Sequence, residues 1–439
     1  MLYHGDKDME TGFTLLPPRG MRDLVGEDAE ILEYLFNEFK NYARIHGFKP
    51  VIPPTLEYFK LFEKKSGEEI KRSMYVFKDK AGRLLSLRPE ITASIVRIYL
   101  RLLRSYPKPV KLYYVAQCFR YEEPQHGRYR EFWQAGLEVI GVKGVEADLE
   151  AALAASSFLD KIGVKHLYEV SNVSLHRSIM DGFGIPADVQ DHILHLIDKR
   201  MNDVAIDELR KMNGEAADAM EKLIRLRLDE VEDFMNEYSG VLKKHYGMLR
   251  EELDRTIKFI QVLKEMGYEA VYNPNLVRGL AYYSGLIFEY KAIEGIGLSI
   301  GGGGRYDGLT TVYGGPFEYS TGLALGLDRI ALSLKGVKPP SRPKIMIIVL
   351  DDTMLNYAFK IKKSIEDTGS ETTLYYHNKI RKALSIASKK GYDIVVIIGK
   401  KEYEENTVTI KDLRTGHQET VASNEVVRVL VENILQSSS

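Results

Sequence analysis

The chain has 439 residues, a length typical of two to four domains, with 61 Lys and Arg against 62 Asp and Glu. The formal net charge of −1 excludes a histone-like protein that binds nucleic acid through a global basic field, but it allows local basic patches. A hydrophobic fraction of 44% excludes a mainly disordered chain, and a single cysteine, Cys118, excludes an internal disulfide. The apolar runs are only strand-length, so we expect no signal peptide and no membrane span, and we expect a cytoplasmic protein.

The N-terminal third alternates one long helix with strands. Apolar residues recur at intervals of three and four over residues 26–46, which predicts a helix that Gly47 caps. Residues 48–54 hold three prolines and are expected to form an edge or interface strand, because proline cannot donate to a central ladder. The strand patterns that follow predict an antiparallel hairpin of residues 113–119 and 132–140 around a long loop, and then a short strand at 168–173.

The middle of the chain changes from strand to helix patterns and back. Helical spacing dominates residues 174–266 and predicts a helical insertion. Strands are expected at 281–290 and 297–300, followed by four consecutive glycines at 301–304 and a glycine-spaced helix at 321–334. Runs of strands with one long helix predict an α+β fold with an antiparallel sheet, and not a parallel Rossmann sheet.

The C-terminal part reads as a separate small domain. Residues 335–343 contain three prolines and predict a linker, and strands alternate with helices over 344–439, as in an α/β domain. The remaining boundaries are a core domain of residues 1–173 and 267–334 and a helical insertion of residues 174–266. Residues 338–439 carry 16 Lys and Arg against 13 Asp and Glu, a net charge of +3 that leaves −4 for the rest. The basic residues cluster around one predicted helix, where they form either a nucleic-acid surface or a solvated face: Lys379, Arg381, Lys382, Lys389 and Lys390.

The second hairpin strand carries the first candidate site. Side chains alternate along a strand, so one face holds Phe132, Gln134, Gly136 and Glu138. A glycine between two polar residues leaves room for a ligand over the sheet, although a solvent-facing strand would show the same pattern.

The hairpin loop carries the second candidate site. It contains Arg120, Arg128 and Arg130 together with aromatic rings, which suit phosphate groups and a nucleobase. Nearby glutamates make the loop neutral, so a surface network of salt bridges is the alternative. Arg329 is placed to reach an anion from a helix, whereas His192 and His195 lack a third ligand, so no protein-bound structural metal is expected.

Taken together and in this order, these segments resemble the class II aminoacyl-tRNA synthetases, and specifically the histidyl-tRNA synthetase family. Residues 119–122 through Phe132 resemble motif 2 of the class, residues 326–329 resemble motif 3, and the helix and strand that end at Pro54 resemble motif 1. Four further segments match the family: residues 87–92, 127–132, 276–283 and 302–309.

The resemblance implies that histidine and ATP form histidyl-adenylate and pyrophosphate, and that the histidyl group then passes to the 3' end of tRNA(His). It implies that Arg120 and Arg278 are catalytic, with Arg120 on the α-phosphate and Arg278 on its developing charge. The implied histidine-binding residues are Glu90, Ile91, Thr92, Gln134, Glu138, Tyr282 and Tyr283. The implied ATP-binding residues, acting with Mg²⁺, are Arg120, Glu122, Arg128, Phe132 and Arg329.

Other consequences concern partners. The resemblance implies that Gln125 meets the acceptor end of tRNA, that the C-terminal domain reads the anticodon, and that the chain forms a homodimer that does not associate with membranes. Ala281 replaces an aspartate common in the family, and Glu123 replaces a motif 2 arginine and would repel phosphate.

Two other functions share part of this pattern. A catalytically silent regulatory subunit of ATP phosphoribosyltransferase has the same core, but usually lacks the C-terminal domain and loses the arginines. A synthetase for proline, threonine or glycine shares the three motifs but not the paired tyrosines Tyr282 and Tyr283.

Overall fold

The computed structural model describes residues 14–63, 72–278, 282–294, 299–334 and 342–437. It divides into two compact units, Met1–Val337 and Lys338–Ser439. Most of the linker expected at 335–343 lies outside the described residues, as does Ala281. In the described parts of the chain, no helix combines the length and the apolar character that a membrane crossing needs.

The first unit is built on an eight-stranded sheet in the order β1-β5-β6-β11-β10-β9-β7-β8. Its neighbouring strands are antiparallel except for the pairs β1–β5 and β7–β8 at the two edges. The predicted antiparallel α+β core is therefore confirmed. The strands are β1 (Lys49–Pro50), β5 (Val110–Phe119), β6 (Glu131–Ile140), β7 (His166–Asn172), β8 (Glu269–Tyr272), β9 (Leu286–Ala292), β10 (Ser299–Arg305) and β11 (Ser320–Gly326).

Helices cover one face of this sheet. Helix α1 (Glu27–Ile45) begins with three acidic residues, which suit the positive end of a helix dipole, and buries a stripe that includes Leu35 and Phe39. Phe39 meets Phe158 of a second helix edge-on, with ring centroids 5.4 Å apart. The expected edge strand is present as β1, which pairs with β5.

The hairpin forms as predicted, except that β5 begins at Val110 and β6 begins at Glu131, each earlier than expected. Residues 120–130 form its loop, and the pairing sets Tyr114 opposite Gly136 and Cys118 opposite Phe132. This register places the two candidate sites next to each other.

The glycine-rich region was predicted wrongly in two respects. The four glycines lie inside strand β10 and do not follow a strand, and residues 320–326 form strand β11, so the expected helix at 321–334 is present only as α13 (Leu327–Ser333). The reason is close packing of the two strands: a Cβ on Gly303 would lie 2.1 Å from the carbonyl oxygen of Gly322. The glycine spacing that suggested a tightly packed helix thus belongs to a central strand.

Helices fill the segment between β7 and β8, where the insertion was expected. They are α5 (Val173–Gly182), α6 (Ala187–Asp198), α7 (Asn202–Met212), α8 (Gly214–Leu223), α9 (Val231–Glu237), α10 (Ser239–Leu242) and α11 (Tyr246–Glu265). Their apolar residues form a cluster that also takes in Leu276, Val277 and Tyr283. The chain that leaves these helices is therefore packed into their core.

The rest of the first unit consists of a small sheet and short helices. Strands β2 (Leu56–Tyr58), β4 (Leu84–Leu87) and β3 (Val76–Lys78) form a three-stranded sheet in that order. The remaining helices are α2 (Phe59–Glu63), α3 (Thr92–Ile98) with a π-helical turn Tyr99–Leu103, α4 (Glu146–Lys161) and α12 (Leu309–Val312).

The second unit has a five-stranded sheet in the order β13-β12-β14-β15-β16. Strands alternate with helices from β12 to α16 as predicted, and the parallel pairs β12–β13 and β12–β14 are those of an α/β fold. The elements are β12 (Lys344–Val349), α14 (Leu355–Glu366), β13 (Glu371–Tyr376), α15 (Ile380–Lys389), β14 (Ile394–Ile398), α16 (Lys400–Glu404), β15 (Thr407–Asp412), β16 (Gln418–Ala422) and α17 (Val426–Ser437). The basic cluster lies on and beside α15.

Candidate active site

A cavity of about 300 Å³ opens over the centre of the large sheet. Strands β6, β10 and β11 form its floor, and the hairpin loop, the start of α3 and the segment before β9 contribute side chains. Twelve of the residues selected from the sequence line it: Glu90, Ile91, Thr92, Arg120, Glu122, Arg128, Phe132, Gln134, Arg278, Tyr282, Tyr283 and Arg329.

Strand β6 divides its side chains between core and cavity as alternation predicts. Ala135, Leu137 and Val139 are buried in the core beneath the helices, whereas Phe132 and Gln134 line the cavity. The Gln134 Oε1 atom accepts a hydrogen bond from the buried thiol of Cys118, with a sulfur–oxygen distance of 3.1 Å. Burial raises the pKa of that thiol to about 12, so it stays protonated and can act as the donor.

Glu138 does not line the cavity but lies directly beneath it, with 1% of its surface exposed. Its carboxylate accepts hydrogen bonds from the Thr92 hydroxyl at 2.9 Å and from the Tyr306 hydroxyl at 2.6 Å. A Cβ on Gly322 would lie 1.7 Å from one carboxylate oxygen, so the glycine makes the space that the carboxylate occupies. Burial raises the pKa of Glu138 to about 8.

Glu90 is the second buried carboxylate, with 3% of its surface exposed. It lies just before helix α3 and accepts the backbone N–H of Ala93 at 3.1 Å. Burial raises its pKa to about 7, while this hydrogen bond and the charge of Arg120 favour the ionised form. Thr92, two residues after Glu90, donates its hydroxyl hydrogen bond to the other carboxylate, Glu138.

Arg278 projects into the cavity from an unusual backbone conformation. Its φ angle is +52°, in the left-handed region that non-glycine residues adopt only at a cost of about 1–2 kcal/mol. The guanidinium donates to the Phe288 carbonyl at 3.1 Å and lies 5.7 Å from the centre of the Tyr283 ring. A Cβ on Gly302 would lie 1.8 Å from a guanidinium nitrogen, so here too a glycine provides the space.

Two of the other cavity arginines, Arg120 and Arg329, are held by backbone carbonyls. Arg120 donates to the Pro89 carbonyl at 2.9 Å, and its guanidinium lies 5.4 Å from the centre of the Phe132 ring. Arg329 donates to the carbonyls of Gly127 at 3.1 Å and Ser299 at 2.8 Å. Burial, and to a smaller extent the neighbouring Arg128, lower the pKa of Arg329, while Glu289 and Glu122 act in the opposite direction.

The tip of the hairpin loop lies outside the cavity. Gln125 is exposed, and its backbone pairs with that of Arg128. Glu123 forms an exposed ion pair with Arg19 at 2.9 Å, so its charge is partly neutralised within the chain.

In the part of the chain that the structure describes, no group of three or more His, Cys, Asp or Glu is arranged to hold a metal ion. His192 instead contacts the Glu208 carboxylate at 2.8 Å on the surface of the helical segment.

The comparisons with known proteins agree with this geometry. A family model described as histidyl-tRNA synthetase matches residues 20–330, and one described as anticodon binding domain matches residues 344–433. This chain belongs to the histidyl-tRNA synthetase family.

Individual relatives in this family match nearly the whole chain. A histidine–tRNA ligase from Sulfolobus acidocaldarius is 38% identical over 425 residues, which cover 95% of this chain and 99% of that protein. The solved apo structure of S. aureus histidyl-tRNA synthetase is 25% identical, with a TM-score of 0.66, and covers 95% of this chain and 99% of its own. A structure titled ATP phosphoribosyltransferase regulatory subunit/histidyl-tRNA synthetase, from Bacillus halodurans C, is 21% identical with a TM-score of 0.72 over 88% of this chain and 98% of its own, a likeness of fold.

Sequence reasoning missed several polar residues that line this cavity, four of which stand out. Tyr306 and Tyr114 stand over the sheet near Glu138, and Asp198 and Glu289 add acidic groups. Tyr306 could have been found, because it lies in the family segment 302–309. Asp198 could not, because it ends a helix of the insertion and nothing near it in the sequence indicates a site.

Proposed function

We propose that this chain is a histidine–tRNA ligase, which activates L-histidine with ATP to histidyl-adenylate and transfers the histidyl group to the 3' end of tRNA(His). The observation that carries the proposal is the meeting, around a single cavity, of four arginines from distant parts of the chain with two buried carboxylates, Glu90 in its lining and Glu138 directly beneath it. A zwitterionic amino acid and a polyphosphate together require this combination of charges.

Histidine would bind over strand β6. The carboxylates have the charge that an ammonium and an imidazole N–H require, with Glu90, Thr92 and Gln134 toward the amino group and Glu138, Tyr282 and Tyr283 toward the ring. Ile91 contributes apolar surface beside Glu90. Because Glu138 is already fixed by two hydroxyl donors, an amino acid without a matching ring would leave buried polar groups unpaired.

ATP would bind across the arginines. Phe132 offers a ring face to adenine and Glu122 an acceptor to its amino group, while Arg120 would hold the α-phosphate and Arg128 and Arg329 the outer phosphates. Mg²⁺ fits this site as a companion of ATP, because Mg²⁺ typically takes one or two carboxylates with phosphates and waters, and Glu122 and Glu289 line the cavity. When bound, the ion supplies charge neutralisation.

The chemistry needs no general base, because the attacking histidine carboxylate is ionised at neutral pH. Rate enhancement would come from positioning and from charge neutralisation by Arg120 and Arg278. The carbonyl acceptors that hold Arg120 and Arg278 in place support this, since a preorganised cation needs no rearrangement during the reaction.

Two surfaces support binding of tRNA(His). The C-terminal unit carries the basic residues of α15, which would attract phosphates near the anticodon. Gln125 at the loop tip is exposed, so that the acceptor end of tRNA would reach it without a steric clash. The ion pair between Glu123 and Arg19 reduces the repulsion that Glu123 would exert on phosphate.

A homodimer and a cytoplasmic location complete the proposal. The surface around β1 exposes apolar side chains, among them Ile52 at 92%, Leu102 at 58% and Tyr106 at 59%, beside a groove of about 540 Å³. Apolar exposure of this kind is typical of a surface covered by a partner, in this proposal a second copy of the chain.

The regulatory-subunit alternative is not favoured. The relative that is 38% identical is a histidine–tRNA ligase, and the cavity retains Arg120, Arg278 and Arg329 together with a C-terminal unit that matches an anticodon-binding family.

The test is ATP–pyrophosphate exchange measured with each amino acid in turn. We expect exchange that depends on histidine alone. Exchange with proline, threonine or glycine, or none with any amino acid, would sink the proposal.

A further inference from the structure

The segment that delivers Arg278 to the cavity is tied to the helices between β7 and β8. After strand β8 the chain runs through residues 273–277 before it reaches Arg278. The imidazole of the buried His176, on α5, hydrogen-bonds to the Pro274 carbonyl at 2.9 Å. Leu276 and Val277 are buried in the apolar cluster of the helices.

Asn275 makes the most specific connection in this segment. Its side-chain amide donates to the Ile224 carbonyl, directly after α8, at 2.8 Å. Its side-chain oxygen accepts from the Asn202 amide, at the first residue of α7, at 2.8 Å. One side chain therefore ties this segment to two helices.

The conformation of Arg278 explains why such a connection matters. A non-glycine residue in the left-handed region persists only where its surroundings fix the backbone. Three residues earlier, the two hydrogen bonds of Asn275 fasten this segment to the helices. The helical segment also places Asp198 at the end of α6 in the same cavity, where burial raises the pKa of Asp198 and the charge of Arg278 lowers it.

We propose that Asn275 is a positioning residue for adenylate formation, which holds Arg278 in its active conformation by tying the segment 273–277 to helices α7 and α8. Asn275 does not line the cavity and acts only through Arg278. The helical insertion is then part of the catalytic machinery. This inference rests on the proposed function and on the role of Arg278 in it.

The first experiment compares Asn275→Ala with Asn213→Ala in steady-state ATP–pyrophosphate exchange. Asn213 is a matched control, because it caps α8 through the Ala216 N–H at 3.0 Å and touches neither residues 273–277 nor the cavity. We expect Asn275→Ala to lower kcat about 10-fold, the scale of a slightly misplaced catalytic group, with the KM values for histidine and ATP within about twofold of wild type. Asn213→Ala should lower the thermal midpoint but not kcat.

The second experiment repeats Asn275→Ala in an Arg278→Ala background. A residue that acts through Arg278 has no further effect once Arg278 is gone, so the two losses should not add. If Asn275→Ala lowers kcat equally in both backgrounds, or if Asn213→Ala lowers kcat as much, the positioning role is overturned.

Failure of the proposed function and failure of the positioning role give different experimental results. Loss of histidine dependence in the wild type would remove the proposed function, whereas wild-type exchange by Arg278→Ala would remove the role of Arg278 and this inference with it while leaving the function. Should Asn275→Ala fail to fold, Asn202→Ala removes only one of the two hydrogen bonds and is expected to lower kcat about threefold on the same reasoning. An unchanged kcat in that variant contradicts the proposal.

Discussion

The buried carboxylates and the arginines of the cavity are held in different ways. Glu90 and Glu138 are almost fully buried and take their hydrogen bonds from a backbone N–H and two hydroxyl groups. Arg120 and Arg329 lie partly exposed, on a loop and a short helix, and are anchored by backbone carbonyls that carry no charge.

This difference in anchoring indicates which groups select the amino acid and which accelerate the reaction. A buried carboxylate is costly when it has no cation, so the cost is relieved when a cationic or donor ligand arrives, and this favours selectivity. Arginines that repel one another are relieved when phosphate arrives, but any polyphosphate satisfies them. Selectivity for the amino acid should therefore reside in the carboxylates, and acceleration in the arginines.

The sharpest test of the arginine side is Arg278→Ala. Removing one preorganised cation from the reacting phosphate should lower ATP–pyrophosphate exchange by about 10²–10³-fold. Arg250→Ala is a suitable control, because Arg250 on α11 forms an exposed ion pair with Glu232 and does not line the cavity. Wild-type exchange in Arg278→Ala would remove this residue from the mechanism.

The carboxylate side is tested by Glu138→Gln. The amide cannot accept from both Thr92 and Tyr306 in the way that the carboxylate does, and it cannot ionise when the substrate ring binds. We expect the KM for histidine to rise about 10–100-fold, the scale of a hydrogen bond to a charged group, with the KM for ATP unchanged. Glu131→Gln, at the first residue of the same strand, should change neither KM value. Equal effects on both KM values would show that selectivity is not confined to the carboxylates.

The smallest effect concerns stability and pH without substrates. The pKa of Glu90 is raised to about 7 by burial, so the folded state binds this proton more tightly than the unfolded state does. Stability from this group is present below its unfolded pKa and is lost as pH rises toward 7. Gln does not titrate, so Glu90→Gln should gain thermal stability over wild type as pH rises from 5 to 8. A difference in melting temperature that stays constant over this range would mean that burial does not raise the pKa of Glu90.

Sequence reasoning succeeded where the relevant contacts are local. Alternation along β6 assigned Gln134 and Glu138 to one face without knowledge of their neighbours. It failed where a pattern had two physical causes: the glycines at 322 and 326 allow close packing in a helix or in a central strand, and only the pairing of β11 with β6 and β10 decides between them. The connections of Asn275 were beyond its reach, because they join residues 51 and 73 positions apart.

Two glycines that line the cavity make room for two of the ionisable side chains. Gly302 and Gly322 leave empty the volumes that the Arg278 guanidinium and the Glu138 carboxylate fill. A mutational scan would record severe losses at these two glycines, and their lack of a side chain would invite a purely structural explanation. Yet part of each loss would be that of its charged partner, because the added methyl group would displace the partner as well as crowd a backbone carbonyl of the neighbouring strand. Gly302 and Gly322 therefore belong among the functional residues of this protein, together with Arg278 and Glu138, which they accommodate.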